Sequence, residues 1–293
     1  MTERMAPSAD PPALSSALSV NAAAAKVLAE ALALFTVHLT ALSGSDDPEV
    51  VHQARVAWRR FKSGLKLFKP ALKPEPMPSL TPLQHLLQGL SALRDVDVAL
   101  TETLPQWRST YIEGSPKTSA IQTRRRRGWR QMSQALQRLA DVQRSLVRRE
   151  LARPAVVTTL LALTEWVDGL SGVKQDAAFA TVPLQRWAQR RLDVWHARFK
   201  TAFKSSRHGA NPKQQHRVRI WAKRLRYGVD ALGFLLPAQR SHRWRQQAAE
   251  VQTKIGAERD LLQARTLAAH VAADDDILTF LQGLADRAAD QSS

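Results

Sequence analysis

Apolar positions along this chain recur at helical spacing. Between Pro48 and Lys69, Ala54, Ala57, Trp58, Phe61, Leu65 and Phe68 follow one another mostly every three or four residues, which gathers them on one side of an α-helix. Between Pro212 and Leu235 a similar spacing joins Val218, Leu225, Val229 and Leu232. The apolar–polar alternation of a half-buried strand is missing, and runs of Val and Ile are short. Prolines punctuate the pattern. Asp47-Pro48, Thr81-Pro82, Ser115-Pro116 and Asn211-Pro212 each join a capping residue to a proline, a combination suited to a first helical turn, where the missing N–H had no partner anyway. The intervals are rich in Ala, Leu, Gln, Arg and Glu, all strong helix formers. An all-α protein is predicted, with helices near 18–43, 48–69, 80–105, 117–149, 154–170, 183–205, 212–235, 238–270 and 274–288. Residues 1–17, with Pro7, Pro11 and Pro12, read as a flexible tail, and 289–293 as a second short one.

The helices also repeat. Pro48, His52 and Arg55 match Pro212, His216 and Arg219 at one constant offset. Downstream, Arg59-Arg60 meets Lys223-Arg224, Phe61 meets Leu225 and Lys62 meets Arg226. A second motif follows in each copy: Leu93-Arg94-Asp95-Val96-Asp97 and Glu258-Arg259-Asp260-Leu261-Leu262, one residue out of the first register. Two motifs in the same order at near-equal spacing imply two pseudo-equivalent helical halves, about 18–171 and 183–288.

Charge gives the repeat a chemical meaning. The 293 residues carry 43 Lys and Arg against 26 Asp and Glu, a formal net charge of +17. Such a surplus points to a polyanionic partner: nucleic acid, an anionic membrane face or a phosphate polymer. With no cysteine, disulfides, thiolate metal sites and a cysteine nucleophile are excluded. On a helical wheel, Arg55, Arg59, Lys62, Lys66 and Lys69 lie on the same side as His52, with Arg60 on the flank. His216, Arg219, Lys223 and Arg226 share a side of the second helix. Residues 52–70 contain no acid at all. Like charges one turn apart each cost a few tenths of a kcal/mol, so an uninterrupted stripe, repeated, points to a bound anion. From Arg55 to Lys69 it is ~21 Å long at ~1.5 Å per residue, suited to an extended polyanion. The histidines fit as hydrogen-bond partners of phosphate rather than metal ligands, because no acid stands beside them and cations do. No metal and no cofactor are expected.

Other charged groups rank lower. Arg190 and Arg191, on the helix before the second motif, and Arg126 and Arg130, in the run Arg124-Arg125-Arg126-Arg127 with Arg130, are secondary basic candidates. Arg94 with Asp95 and Arg259 with Asp260 read as pairs that orient neighbouring side chains. Leu28 to Leu42, interrupted by Glu30 and His38, reads as too short for a membrane span. Residues 1–16 make a poor signal peptide, so a cytoplasmic protein without membrane insertion is expected.

The His52-to-Lys62 segment, Leu93 to Val98, and His216 through Tyr227 resemble the CHAD family, the conserved-histidine α-helical domain. The resemblance runs from about residue 18 to 288. It implies two four-helix bundles related by pseudo-twofold symmetry in one domain, and binding of inorganic polyphosphate, with association to polyphosphate granules. Carried over by position, it implies His52, Arg55, Arg59, Arg60 and Lys62 with His216, Arg219, Lys223, Arg224 and Arg226 as the binding residues. The second copy departs from the first: Asp230 stands where Lys66 does and Gly233 where Lys69 does. A general polyanion binder or a nucleic-acid binder is the alternative, but zinc-finger spacing and an RNA-recognition aromatic signature are missing. An enzyme is not expected: there is no glycine-rich phosphate loop, and Asp274-Asp275-Asp276 reads as a helix start.

Overall fold

Local chemistry sets the helix starts. The hydroxyl of Ser19 accepts the N–H of Ala22 at 3.1 Å, and α1 follows over Val20–Leu42. Asp47 accepts the N–H of Glu49 at 2.8 Å, and Pro48 occupies the first turn of α2, Pro48–Phe68. The computed structural model describes residues 18–72, 76–114, 119–172, 182–206 and 212–290. A single 3-10 turn, Thr81–Leu83, leads into α3, Gln84–Val98. Then come α4 (Leu104–Glu113), α5 (Ser119–Leu151), α6 (Pro154–Gly169), α7 (Leu184–Ser206), α8 (Pro212–Leu232), α9 (Ala238–His270) and α10 (Asp275–Asp290). Among the described residues there is no strand, as expected for an all-α chain. The Ser115-Pro116 cap and Asn211 lie outside the described residues.

One helix end differs from expectation. The sequence reading closed a helix near Pro105. Instead the chain passes through a π-helical turn, Ala99–Thr103, and continues as α4 to Glu113. Pro105 sits in the first turn of α4, a position that tolerates proline.

The chain forms two compact units, each drawing segments from both sequence halves. The first comprises residues up to Val37, Val56–Ser79 and Thr158–Gln252. In it Phe35 meets Trp58 at 5.0 Å between ring centroids, Trp58 stacks on Phe61 at 5.4 Å, and Phe68 stacks on Trp187 at 5.1 Å. The apolar stripes behave as the wheels require: Ala57, Trp58, Phe61, Phe68, Val218, Leu225, Val229 and Leu232 are buried. Two glycines set the closest approaches. A Cβ on Gly64 would stand 2.9 Å from Leu28 Cδ2, and one on Gly228 would stand 2.8 Å from Leu192 Cδ2 and 3.1 Å from the Trp195 ring. Each glycine is twelve residues beyond its copy's histidine, so the repeat preserves a packing device as well as a charge pattern.

Begun at Val20 rather than Leu28, α1 is long and apolar enough to cross a membrane (mean hydropathy 1.5), longer than the sequence reading allowed. Half of that stretch is buried within the protein. Ala23, Ala24, Leu28, Ala31, Leu32 and Phe35 are its buried face in the first unit.

The second unit comprises His38–Arg55, Leu80–Val157 and Thr253 onward. Here α3 lies along α5, and Tyr111 joins Trp129 at 5.3 Å and Phe280 at 5.1 Å. Arginines of α5 fix the loop before α2. Arg148 donates to the carbonyls of Leu42 (2.9 Å) and Ser45 (3.0 Å) and to Asp46 (2.8 Å). Arg144, 6% exposed, lies 3.7 Å from the carboxylate of Asp97, 2% exposed, and 3.3 Å from Asp141.

Candidate functional site

The first basic stripe runs along α2. In the second unit Arg55 is half-buried and donates to the Ser91 hydroxyl. Ser91 in turn donates to the Leu87 carbonyl at 2.8 Å, so α3 fixes where that guanidinium points. His52 is half-buried on the same segment. The rest of the stripe belongs to the first unit: Arg59 and Arg60 are half-buried, and Lys62, Lys66 and Lys69 are exposed. Arg60 has an acid nearby. Burial raises the Glu30 carboxyl above its usual range, and Arg60 and Lys26 oppose that rise.

The second stripe lies on α8, wholly within the first unit. His216 is exposed, and Arg219, Lys223, Arg224 and Arg226 are half-buried. The guanidinium of Arg224 lies 4.6 Å from the ring centroid of Trp221, and that of Arg226 lies 5.2 Å from Tyr227. Aromatic faces hold these cations in place.

The two stripes meet in the first unit. Burial lowers the Lys66 ammonium below its ordinary pKa, and Arg224 lowers it further. Arg224 is itself lowered by burial and then by Arg198 of α7, and so is Arg191. Arg191 holds the end of α2: its Nε donates to Leu67 O at 2.9 Å and Nη2 to Lys66 O at 2.8 Å. These are C-terminal helix carbonyls, where a cation is electrostatically favoured. Arg198 lies 5.3 Å from the Trp221 ring centroid. The region's acids are engaged elsewhere. Asp230 accepts from Arg245 at 2.9 Å, and Asp193 faces Arg240 at 3.6 Å. Among the described residues, Lys66, Arg198 and Arg224 have no carboxylate in ion-pair range. The result is a knot of cations in which burial and like charge together disfavour the charged forms of Lys66, Arg191 and Arg224.

The remaining candidates divide. Arg190 is exposed on α7, and Arg126 and Arg130 are exposed on α5. Arg125, in the same run, turns inward to donate to the Tyr111 carbonyl at 2.7 Å. Arg94 pairs with Glu102 at 2.5 Å. Asp95 and Asp260 are half-buried and Arg259 exposed, while the acid that the fold buries is Asp97, which the sequence reading left without a role. Sequence reasoning also passed over Arg198 as a site group. Its signal was there: Trp221 stands at the repeat position of the buried Ala57, and a partly exposed Trp beside an arginine-rich helix is a place for cations to stack. Among the described residues no three His, Asp or Glu side chains converge as metal ligands.

Comparison with known proteins agrees with the fold. The family model described as CHAD domain matches residues 26–269. No curated protein matches the chain. The crystal structure of the CHAD domain from the plant Ricinus communis superposes with a TM-score of 0.75 at 24% identity, covering 96% of this chain and 90% of that one. PptA from Streptomyces chartreusis superposes with a TM-score of 0.59 at 16% identity, over 92% and 94% of the two chains.

Proposed function

This chain belongs to the CHAD-domain family, and from that premise we propose that it binds inorganic polyphosphate without catalysis, in the cytoplasm and on polyphosphate granules. The observation that carries the reading is the meeting of the two stripes: Lys66 from one and Arg224 from the other, with Arg198 a like charge beside Arg224 and Arg191, and no carboxylate in ion-pair range of Lys66, Arg198 or Arg224 among the described residues. Cations crowded and partly desolvated are unfavourable until an anion arrives. A polyphosphate supplies a negative charge at every repeat, so one ligand answers all of them. Guanidinium forks match its oxygens two at a time, and Lys66 and Lys69 serve as point charges. A hydrolytic role has less to work with, because it needs a metal-binding carboxylate cluster or a poised base beside the anion.

The test is calorimetric titration with long-chain polyphosphate, with double-stranded DNA, RNA and orthophosphate at equal salt. We expect tight polyphosphate binding, weaker nucleic-acid binding and a steep fall with salt, as neutralising ~6 phosphates on DNA loses ~10³ in affinity between about 50 and 200 mM. Equal affinity for every polymer would make the protein a general polyanion binder. Unchanged polyphosphate affinity in a folded Lys66→Glu, Arg198→Glu, Arg224→Glu variant would remove the site assignment. Arg191 is left intact in that variant because it holds helix carbonyls.

A further inference from the structure

A groove runs beside the cation knot, within the first unit. One wall is the α7 face bearing Ala197, Thr201, Ala202 and Ser205; the other is Gln214, Arg217 and Trp221 of α8. The cavity measures about 420 Å³, within the size range of small-molecule sites. The α7 residues lining it at helical spacing, Ala197, Thr201, Ala202 and Ser205, are small, and Trp221 of α8 faces it from the other wall. Arg198 lines the groove and also lies over Trp221, which Arg224 approaches as well. The groove therefore joins an apolar slot to the phosphate-binding cations.

A bare phosphate chain has no use for the slot. It carries no apolar surface to bury against Ala197, Ala202 and Trp221. From the shared position of Arg198 we propose that this groove takes the base and sugar of a nucleoside polyphosphate, whose phosphates lie on Arg198, Arg217 and Arg224. The charge fits: the mouth of the groove is cationic, and its lining includes no acid. The shape fits: a planar base slides between helix walls beside an indole and guanidinium planes, the surfaces on which bases stack. The inference rests on the polyphosphate reading only in that its phosphates share Arg198 and Arg224.

The test uses the full chain and compares ATP with tripolyphosphate in EDTA at one salt concentration, because both carry three linked phosphates. We expect ATP to bind about tenfold more tightly than tripolyphosphate. Thr201→Trp fills the slot and should bring ATP down to the tripolyphosphate level while long-chain polyphosphate binds as before. Ser205→Trp serves if the first variant fails to fold. Equal affinities in the wild type, or an ATP preference that survives a folded slot-filling variant, would overturn the inference and leave the polyphosphate reading standing. A slot-dependent ATP preference in a protein that ignores long-chain polyphosphate would support the groove and overturn the polyphosphate reading. Oligoadenylate binding more tightly than ATP, and losing that affinity in Thr201→Trp, would make the occupant single-stranded nucleic acid and overturn the nucleotide assignment.

Discussion

Four arginines of the second unit and a cluster of cations in the first are used in opposite ways. In the second, the four arginines are answered by oxygen. Arg144 has Asp97 and Asp141, Arg148 has Asp46 and two carbonyls, Arg94 has Glu102, and Arg125 has the Tyr111 carbonyl. In the first, Lys66, Arg198 and Arg224 have one another, with Trp221 beside the two arginines. A half-buried arginine is therefore not in itself a functional sign. What separates a structural cation from one that waits for a ligand is whether the acid is supplied by the chain.

The largest effect that would break this comparison is on stability. Asp97→Ala removes the buried acid that faces Arg144, and breaking a buried pair costs ~3 kcal/mol. Chemical denaturation of the variant should register that loss. The Asn variant keeps an acceptor and should lose far less. The pH dependence has a definite sign. Burial raises the Asp97 carboxyl above its usual value despite Arg144 and Arg94, with Asp47 adding to the rise. A group raised on folding contributes its stability fully below the unfolded pKa, near 3.9, and loses it as pH rises through the folded value. The wild type should therefore lose stability relative to Asp97→Asn between pH 4 and pH 7. A gain instead would mean that attraction to Arg144 outweighs burial.

Charge reversal comes next, and it should act on binding alone. Arg198→Glu with Arg224→Glu removes two charge-assisted contacts and places acids in the knot. At ~1.5–3 kcal/mol for each such contact, polyphosphate affinity should fall more than a hundredfold, with the melting temperature unchanged or higher. Arg126→Glu with Arg130→Glu makes the same change in net charge on the exposed face of α5. It should cost much less, because these side chains are not gathered by partners. Equal losses from the two pairs would reduce the first unit's knot to generic surface charge.

The sequence exposed the stripes but not their meeting. Periodicity and the repeat placed α2 and α8, their apolar faces and the matched histidines, because each is a local property of one helix. That Lys66 lies near Arg224 depends on the path of α7, whose Arg191 grips the end of α2. No wheel contains that information. The early end assigned at Pro105 failed for a related reason: proline was read as a stop, whereas the π-helical turn before it makes Pro105 a start. Gly64 and Gly228 carried a signal that could have been read, since both keep register with the histidines. Gly228→Val should cost about 1–3 kcal/mol by overpacking against Leu192 and Trp195, and Gly64→Val a similar amount against Leu28. A difference between the two would measure how unequally the copies pack.

The smallest expected effect bears most directly on why the knot exists. If Lys66, Arg191, Arg198 and Arg224 disfavour one another in the unliganded protein, neutralising one of them should stabilise it. Arg198 suits the experiment, because it lowers both Arg191 and Arg224, is exposed, and is not the residue that grips α2. Arg198→Gln keeps a hydrogen-bonding group and removes the charge, together with the guanidinium that lies over Trp221. The gain should be a few tenths of a kcal/mol, the size measured for like charges one helical turn apart, and should shrink as salt screens the repulsion. Saturating polyphosphate should reverse the order of the two melting temperatures, since the wild type then has the extra contact. A variant less stable than the wild type without ligand would mean that Arg198 is held by its stacking on Trp221 more than it is repelled. The first unit's arginines would then be structural in the same sense as those of the second, and the contrast between the units would fail.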